Sequence, residues 1–305
     1  MSSAEATVAT TSEAVADHDP SVHGENTSID APDQQTNPGA HLAKKALVDL
    51  ERRITVIETT TTGIFKQALE EIRNAAMVAV DCEGVAMSRT GRVTLIQVAT
   101  EHKVYLFDVL KLGSAAFEAY GDGPSGNGGS QTTLKHVLEG SSVLKLMYDC
   151  RRDSDSLFHQ FNVKLQAVLD IQLLDVALHR QQGQIVERLS GFARCARLWL
   201  GSKTYGPVMS LKEKIKSKYA ERIDGDENSD IWAKRPMCAD VLRYAAVDVA
   251  LLFPMHTIMM HKHVQGDVIS RTKTASEERL AEYRDMKDSP LQGVFDPTAT
   301  IAPQF

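Results

Sequence analysis

The stretch Val78-Ala79-Val80-Asp81-Cys82-Glu83-Gly84 decides the reading of this chain. An apolar, β-branched run passes directly into two carboxylates spaced i, i+2. Residues at that spacing point to the same face of a β-strand, so Asp81 and Glu83 would stand side by side at the end of a buried strand. Two desolvated carboxylates on one face repel each other unless a positive charge lies between them. Hard oxygen donors of this kind suit a divalent magnesium or manganese ion. Taken alone, an Asp-x-Glu at a strand end is also a common surface turn, so the argument needs further carboxylates elsewhere.

Working outward, Ile54–Thr60 is β-branched and reads as a strand, and Phe65, Leu69 and Ile72 recur at helical spacing over Phe65–Ala76. Met77–Cys82 reads as a buried strand. Val93–Ala99 and Val104–Phe107 read as two more, joined by a turn at Thr100-Glu101-His102-Lys103. Then come a strand at Val143–Tyr148, a helix near Asp153–Phe161 and a short strand at Ala167–Leu169. Helices near Ile171–Gln181 and Ile185–Leu200 follow, with a long helix after Pro236. A strand meander followed by alternating strands and helices indicates one α/β domain with a mixed sheet.

That domain is bounded at residues 50–264. Residues 1–45 read as a disordered acidic tail. Positions 1–40 carry seven acids, no Lys or Arg and no aromatic residue, too little apolar surface to offset the entropy of ordering. Residues 121–130 (GDGPSGNGGS) read as a flexible loop, and 265–305 as a charged, partly disordered segment. The formal charge of −6 comes from the tail: 40 acids less these seven leaves 33, against 34 Lys and Arg. A strongly basic nucleic-acid footprint is therefore absent, which leaves room for an enzyme that binds its substrate locally. The four cysteines form no C-x-x-C pair, which suits a reducing compartment. The first residues lack the pattern of a secretory signal, and no uninterrupted apolar run reaches the roughly 18 residues of a membrane span. The expectations are a cytoplasmic or nuclear protein, no membrane, and a protein partner for the acidic tail.

Two more places carry carboxylates. Asp149, Asp153 and Asp155 follow the strand Val143–Tyr148. Tyr244 and Asp248 are i, i+4 neighbours on one face of a helix whose other residues are small and apolar. The plainer readings are that Asp153 is a helix N-cap and that Arg151 and Arg152 pair with Asp149 or Asp155 at the surface; alternatively the arginines contact a substrate phosphate. The lysines at 212, 214, 216 and 218 read as a solvated face balanced by the acids of Asp224–Asp230. His256, His261 and His263 read as helix-end residues, and Met255, Met259 and Met260 as core or its edge.

The three carboxylate segments, in this order, resemble the motifs of the DEDD 3′–5′ exonucleases, in the subgroup with a tyrosine in the third motif, which includes ribonuclease D and the Egalitarian-like proteins. Val80–Gly84 resembles the first motif, Leu95–Ala99 with Gln97 the strand that follows, and Lys145–Leu157 the second, with Asp153 at the catalytic position. Leu169-Asp170-Ile171-Gln172 and Trp232–Val249 (WAKRPMCADVLRYAAVDV) resemble later segments of ribonuclease D. The resemblance covers about residues 54–263. It implies a ribonuclease-H-like fold, a mixed sheet flanked by helices. It also implies hydrolysis of phosphodiester bonds from a 3′ end with two divalent ions, Mg2+ or Mn2+. Asp81, Glu83, Asp153 and Asp248 would be the ligands, Tyr244 would orient the attacking water, and Gly84, Gln97, Arg151 and Arg152 would face the substrate. RNA is the favoured substrate, with DNA open. The alternative is a catalytically weak or inactive RNA-binding adaptor on the same fold, since the Egalitarian-like branch includes such members.

Overall fold

The computed structural model of the chain describes residues 49–120, 132–201, 206, 210, 231–288 and 300–305. The acidic tail, the glycine-rich loop and the lysine run lie outside them. A six-stranded mixed sheet forms the centre, in the order β1-β4-β3-β2-β5-β6. The strands are β1 (Ile54–Ile57), β2 (Met77–Val85), β3 (Arg92–Ala99), β4 (Val104–Phe107), β5 (Leu144–Met147) and β6 (Val168–Asp170). β2, β3 and β4 are antiparallel neighbours, while β1 on β4, β5 on β2 and β6 on β5 run parallel. The turn after β3 closes as the sequence suggests, with the Thr100 N–H donating to Lys103 O at 2.9 Å.

Alternation along the strands sends side chains to two cores. On one face Val78, Val80, Cys82, Ile96, Val98, Tyr105 and Phe107 meet α1's successor α2 (Gly63–Asn74), where α1 is the single turn Leu50–Arg53. Phe65, Leu69 and Ile72 are the buried stripe of α2; burying each is worth about 1.5–3 kcal/mol. The same core takes in α3 (Val109–Leu112), α4 (Ala115–Glu118), α5 (Leu134–Glu139) and α6 (Arg151–Phe161) through residues such as Val109, Phe117, Leu138 and Leu157. On the other face Ala79, Leu95, Ala99, Leu106, Leu146 and Leu169 pack against α7 (Ile171–Gln181), α8 (Phe192–Leu200), α9 (Ala239–Ala250) and α10 (Leu252–His263). Met255 and Met259 belong to this core, as their spacing suggests.

Three elements differ from the sequence reading. The helix expected at Ile185–Leu200 begins only at Phe192. Residues 187–189 are extended and pair with the chain's last residues: Leu189 N–H donates to Thr300 O at 2.7 Å and Ala302 N–H to Glu187 O at 2.9 Å. Ile185 is 91% exposed, so it was never part of an apolar helical stripe. The segment 265–305, read as charged, contains the 17-residue helix α11 (Val268–Arg284), packed on α6, α7 and β6. Finally, α9 and α10 together give Ala239–His261, 23 residues with a mean hydropathy of 1.3 in one window, long and apolar enough to cross a membrane. The search for uninterrupted runs missed it because Arg243 and Asp248 fall inside it. In this fold 67% of that window is buried, as in a core helix.

Candidate active site

β2 runs past the end of β5, whose pairing with it stops at Ala79 and Leu146. The part of β2 beyond that point carries Asp81 and Glu83 on the face that meets α9. There the chain brings three carboxylates together: ligand oxygens of Asp81, Glu83 and Asp248 all lie within 4.8 Å of one another, and all three side chains are half-buried. Tyr244, one helical turn before Asp248, is held edge-on by Trp232 at 5.9 Å between ring centroids. Asp81, Glu83 and Asp248 thus lie together, with Tyr244 one turn before Asp248 on the same helix.

Gln97 lies directly across from Asp81 in the β2–β3 ladder, on the same face. It is fully buried, and neither amide atom has a hydrogen-bond partner. An orphaned amide in a dry core is costly unless it serves something at the site. A trio of close carboxylates with a spare amide beside them fits a hard divalent cation and its water. Gly84 follows a register shift between Glu83 and Gly84, and a Cβ there would sit 2.1 Å from Arg92 O. Gly84 therefore permits the close backbone approach that turns the strand end.

The three candidates for the second motif separate by their partners. Asp155 is fully engaged by Arg89, through its guanidinium at 2.8–3.0 Å and its backbone N–H at 2.7 Å. Asp149 accepts two hydrogen bonds from Arg151, at 2.6 and 2.9 Å, and lies 3.4 Å from Arg279. Burial opposes its ionisation, but these arginines outweigh burial and hold its carboxyl below the ordinary value. Among the described residues no arginine pairs with Asp153. Asp153 lies beside Cys82 of β2, whose thiol is pushed up by burial and by the nearby Asp153 charge. Burial pushes its carboxyl up to about 7, with the charge of Asp149 adding to the rise. A buried carboxylate without a cation of its own is the one suited to a metal. It is not the helix N-cap; Cys150 occupies that position.

The two arginines divide. Arg151 is buried, bound to Asp149 and to Glu282 at 3.1 Å, and lies over the Tyr283 ring at 5.1 Å. These contacts hold Arg151, expected from the resemblance to face the substrate, against α11. Arg152 is exposed and donates to Met87 O at 3.3 Å, beside the loop after Gly84.

Sequence reasoning missed the residues that hold this arrangement. Asp170, fully buried at the end of β6, accepts from the N–H groups of Asp149 (3.1 Å), Cys150 (3.2 Å) and Gln172 (2.9 Å), and so ties the start of α6 to the start of α7. Arg235 binds Asp108 through two bonds of 2.6 and 2.8 Å and reaches Thr94 O, at the β3 irregularity opposite Glu83, at 3.1 Å. It also donates to Trp232 O at 2.9 Å, so the Trp-x-x-Arg segment is a clamp that sets Trp232 against Tyr244. The resemblance marked both segments, but their partners are remote in sequence.

The comparisons agree with this geometry. A model of the 3'-5' exonuclease family matches residues 56–263. The chain is 29% identical over 235 residues to the piRNA biogenesis protein EXD1 of Mus musculus, covering 75% of this chain and 36% of that protein. It is 30% identical over 197 residues to EXD1 of Xenopus laevis, covering 65% and 40%. It thus spans well under half the length of these curated relatives. Among solved structures, Trypanosoma brucei RNase D in complex with GMP aligns with a TM-score of 0.63 at 23% identity, over 84% of this chain and 70% of that one. The complex of that enzyme with RNA U12 aligns with a TM-score of 0.61 at 21% identity, over 84% and 79%. These neighbours share the mixed-sheet α/β fold described above. The family is divalent-metal dependent, in keeping with the acidic cluster. On the match over residues 56–263, together with the fold, the chain belongs to the 3'-5' exonuclease family.

Proposed function

We propose that this chain is a metal-dependent 3′–5′ exonuclease that removes nucleotides from the 3′ end of a single-stranded nucleic acid, RNA in preference to DNA. The observation that carries the reading is the gathering of Asp81, Glu83 and Asp248 within 4.8 Å, with Tyr244 one turn away. Asp81, Glu83, Asp153 and Asp248 hold two divalent ions, Mg2+ or Mn2+. Such ions supply Lewis-acid polarisation of the phosphodiester and compensate charge on the leaving oxygen. Asp81 would be the ligand common to both ions. Tyr244 would orient the attacking water through its hydroxyl, its ring packed edge-on against Trp232. The unpartnered amide of Gln97, across from Asp81, would bond a water of the bound cation, and the exposed Arg152 offers a charge to a phosphate.

RNA is preferred on the names of the relatives: EXD1 is a piRNA biogenesis protein, and the RNase D neighbour was solved with RNA U12. Nothing in the carboxylate trio itself distinguishes the sugars, since that choice depends on contacts to the 2′-hydroxyl. The test is degradation of matched 5′-labelled single-stranded RNA and DNA with Mn2+, with and without EDTA. A metal-dependent ladder, faster on RNA, supports the proposal. Tight RNA binding without hydrolysis would refute it in favour of an adaptor.

A further inference from the structure

α11 lies beyond the residues that match the family, yet it bonds Asp149, Arg151, Ser154 and Asp170 around the second motif. We propose that Arg279 on α11 is a positioning residue for Asp153: shared between Asp170 and Asp149, it fixes the turn from which α6 starts. The inference rests on the metal-dependent reading above.

The linkage runs through few atoms. Arg279 is 4% exposed and places its guanidinium 3.1 Å from Asp170 and 3.4 Å from Asp149. Asp149 has φ 56°, a left-handed conformation that a residue with a side chain holds only when its surroundings determine it. Here the surroundings are Asp170, which takes the N–H groups of Asp149 and Cys150, and Arg279, which ties the two carboxylates together. Ser276, one turn earlier on α11, accepts the Asp170 N–H at 3.0 Å. Asp153 follows this turn by four residues.

The rest of the α6–α11 interface points the same way. Ser154 Oγ donates to Leu280 O at 2.7 Å, Arg151 pairs with Glu282, and His159 bonds Arg284 O at 2.9 Å. Arg89, bound to Asp155, also donates to Tyr283 O at 2.6 Å, so α11 anchors the loop after Gly84 as well. These contacts occupy the α11 side of α6 and leave Asp153 to face Cys82 and β2. Arg279 also supplies a positive charge to Asp149 and Asp170, so that among these neighbouring carboxylates Asp153 is left for a cation. Outer residues that orient metal ligands are typically worth about 10–100-fold in metal affinity.

The test uses the full chain. Mn2+ binding is counted by titration calorimetry and electron paramagnetic resonance, beside the Mn2+ dependence of RNA hydrolysis, for wild type, Arg279→Gln, Arg279→Lys and Arg271→Gln. Arg271 lies on the exposed side of α11, paired with Asp267, and serves as the control. The expected result is that Arg279→Gln weakens one class of Mn2+ site by about 10–100-fold and raises the Mn2+ needed for half-maximal rate, while the other class stays. Arg279→Lys recovers part of the loss, and Arg271→Gln changes nothing. A folded Arg279→Gln protein with wild-type Mn2+ binding and a lowered melting temperature alone would overturn the inference. If Arg279→Gln does not fold, Ser276→Ala is read instead: a smaller weakening of the same class supports the inference, and an unchanged profile overturns it. Wild-type chain that binds Mn2+ without hydrolysing RNA removes the nuclease reading but still tests Arg279 through binding. Wild type that does neither overturns both.

Discussion

Replacing Arg235 by Ala should be strongly destabilising, because its largely buried side chain, 13% exposed, pairs with a fully buried carboxylate. Its guanidinium is the sole arginine on Asp108 among the described residues, a carboxylate with no exposure, held at 2.6 and 2.8 Å. Asp108 would keep the Lys111 N–H, which donates to it at 3.2 Å, but no opposite charge. Removing one partner of a buried pair typically costs about 3–5 kcal/mol, because the other is left charged and dry. Thr94 O, Trp232 O and Lys234 O lose a donor as well, at 3.1, 2.9 and 2.8 Å. The 13% exposure of the Arg235 side chain lets water replace some of these, so the lower end of the range is used. For a domain of this size about 3 kcal/mol corresponds to a fall of roughly 6–12 °C in melting temperature. Thermal and urea unfolding followed by circular dichroism would measure it. The double variant Arg235→Met/Asp108→Asn, which removes both charges, should recover at least about half of the loss. A loss under about 0.5 kcal/mol for Arg235→Ala, or strictly additive behaviour of the pair, would refute the reasoning, since either means that Asp108 is not stranded.

Three further outcomes follow from the site. Asp153 has its folded pKa raised by burial to about 7, above an unfolded value of about 3.9, so its contribution to stability is fully present below pH ~4 and lost as pH rises through about 7. In EDTA, wild type should therefore lose stability relative to Asp153→Asn across that window, by up to about 4 kcal/mol, and Mn2+ should bind more tightly as pH rises through it; parallel pH profiles of the two proteins would contradict this. Gly84→Ala forces a Cβ into Arg92 O, and should cost about 1–3 kcal/mol in urea unfolding while displacing Glu83 and lowering the hydrolysis rate. Tyr244→Phe should lower kcat by on the order of 10²-fold with Mn2+ binding and KM little changed, read by single-turnover hydrolysis.

Much of the sheet was legible because its strands bury alternate or continuous apolar residues, and the Asp81–Glu83 and Tyr244–Asp248 pairs were legible because strand and helix periods put them on common faces. How Asp149, Asp153 and Asp155 differ was not, since it depends on which arginine reaches which carboxylate: Arg279 is distant in sequence from Asp149, and Arg89 from Asp155. α11 escaped periodicity because part of its buried face is polar, with Thr272, Ser276 and Arg279 among its buried residues. A helix that docks through hydrogen bonds and a buried ion pair carries no strong apolar stripe to read. The segment before Phe192 misled for the converse reason: Ile185 and Val186 look like a helical start but precede an isolated bridge at Arg188–Ile301, held by backbone bonds of Glu187 and Leu189 to residues 300–302.

The most direct test of the account is a comparison of wild type with Asp81→Asn on a 5′-labelled single-stranded RNA in Mn2+. The account predicts a ladder shortening one nucleotide at a time from the 3′ end, with nucleoside 5′-monophosphates released, and its loss in the folded variant together with weakened Mn2+ binding. Undiminished hydrolysis by Asp81→Asn, or a wild type that binds Mn2+ at the trio and leaves the RNA intact, would contradict it.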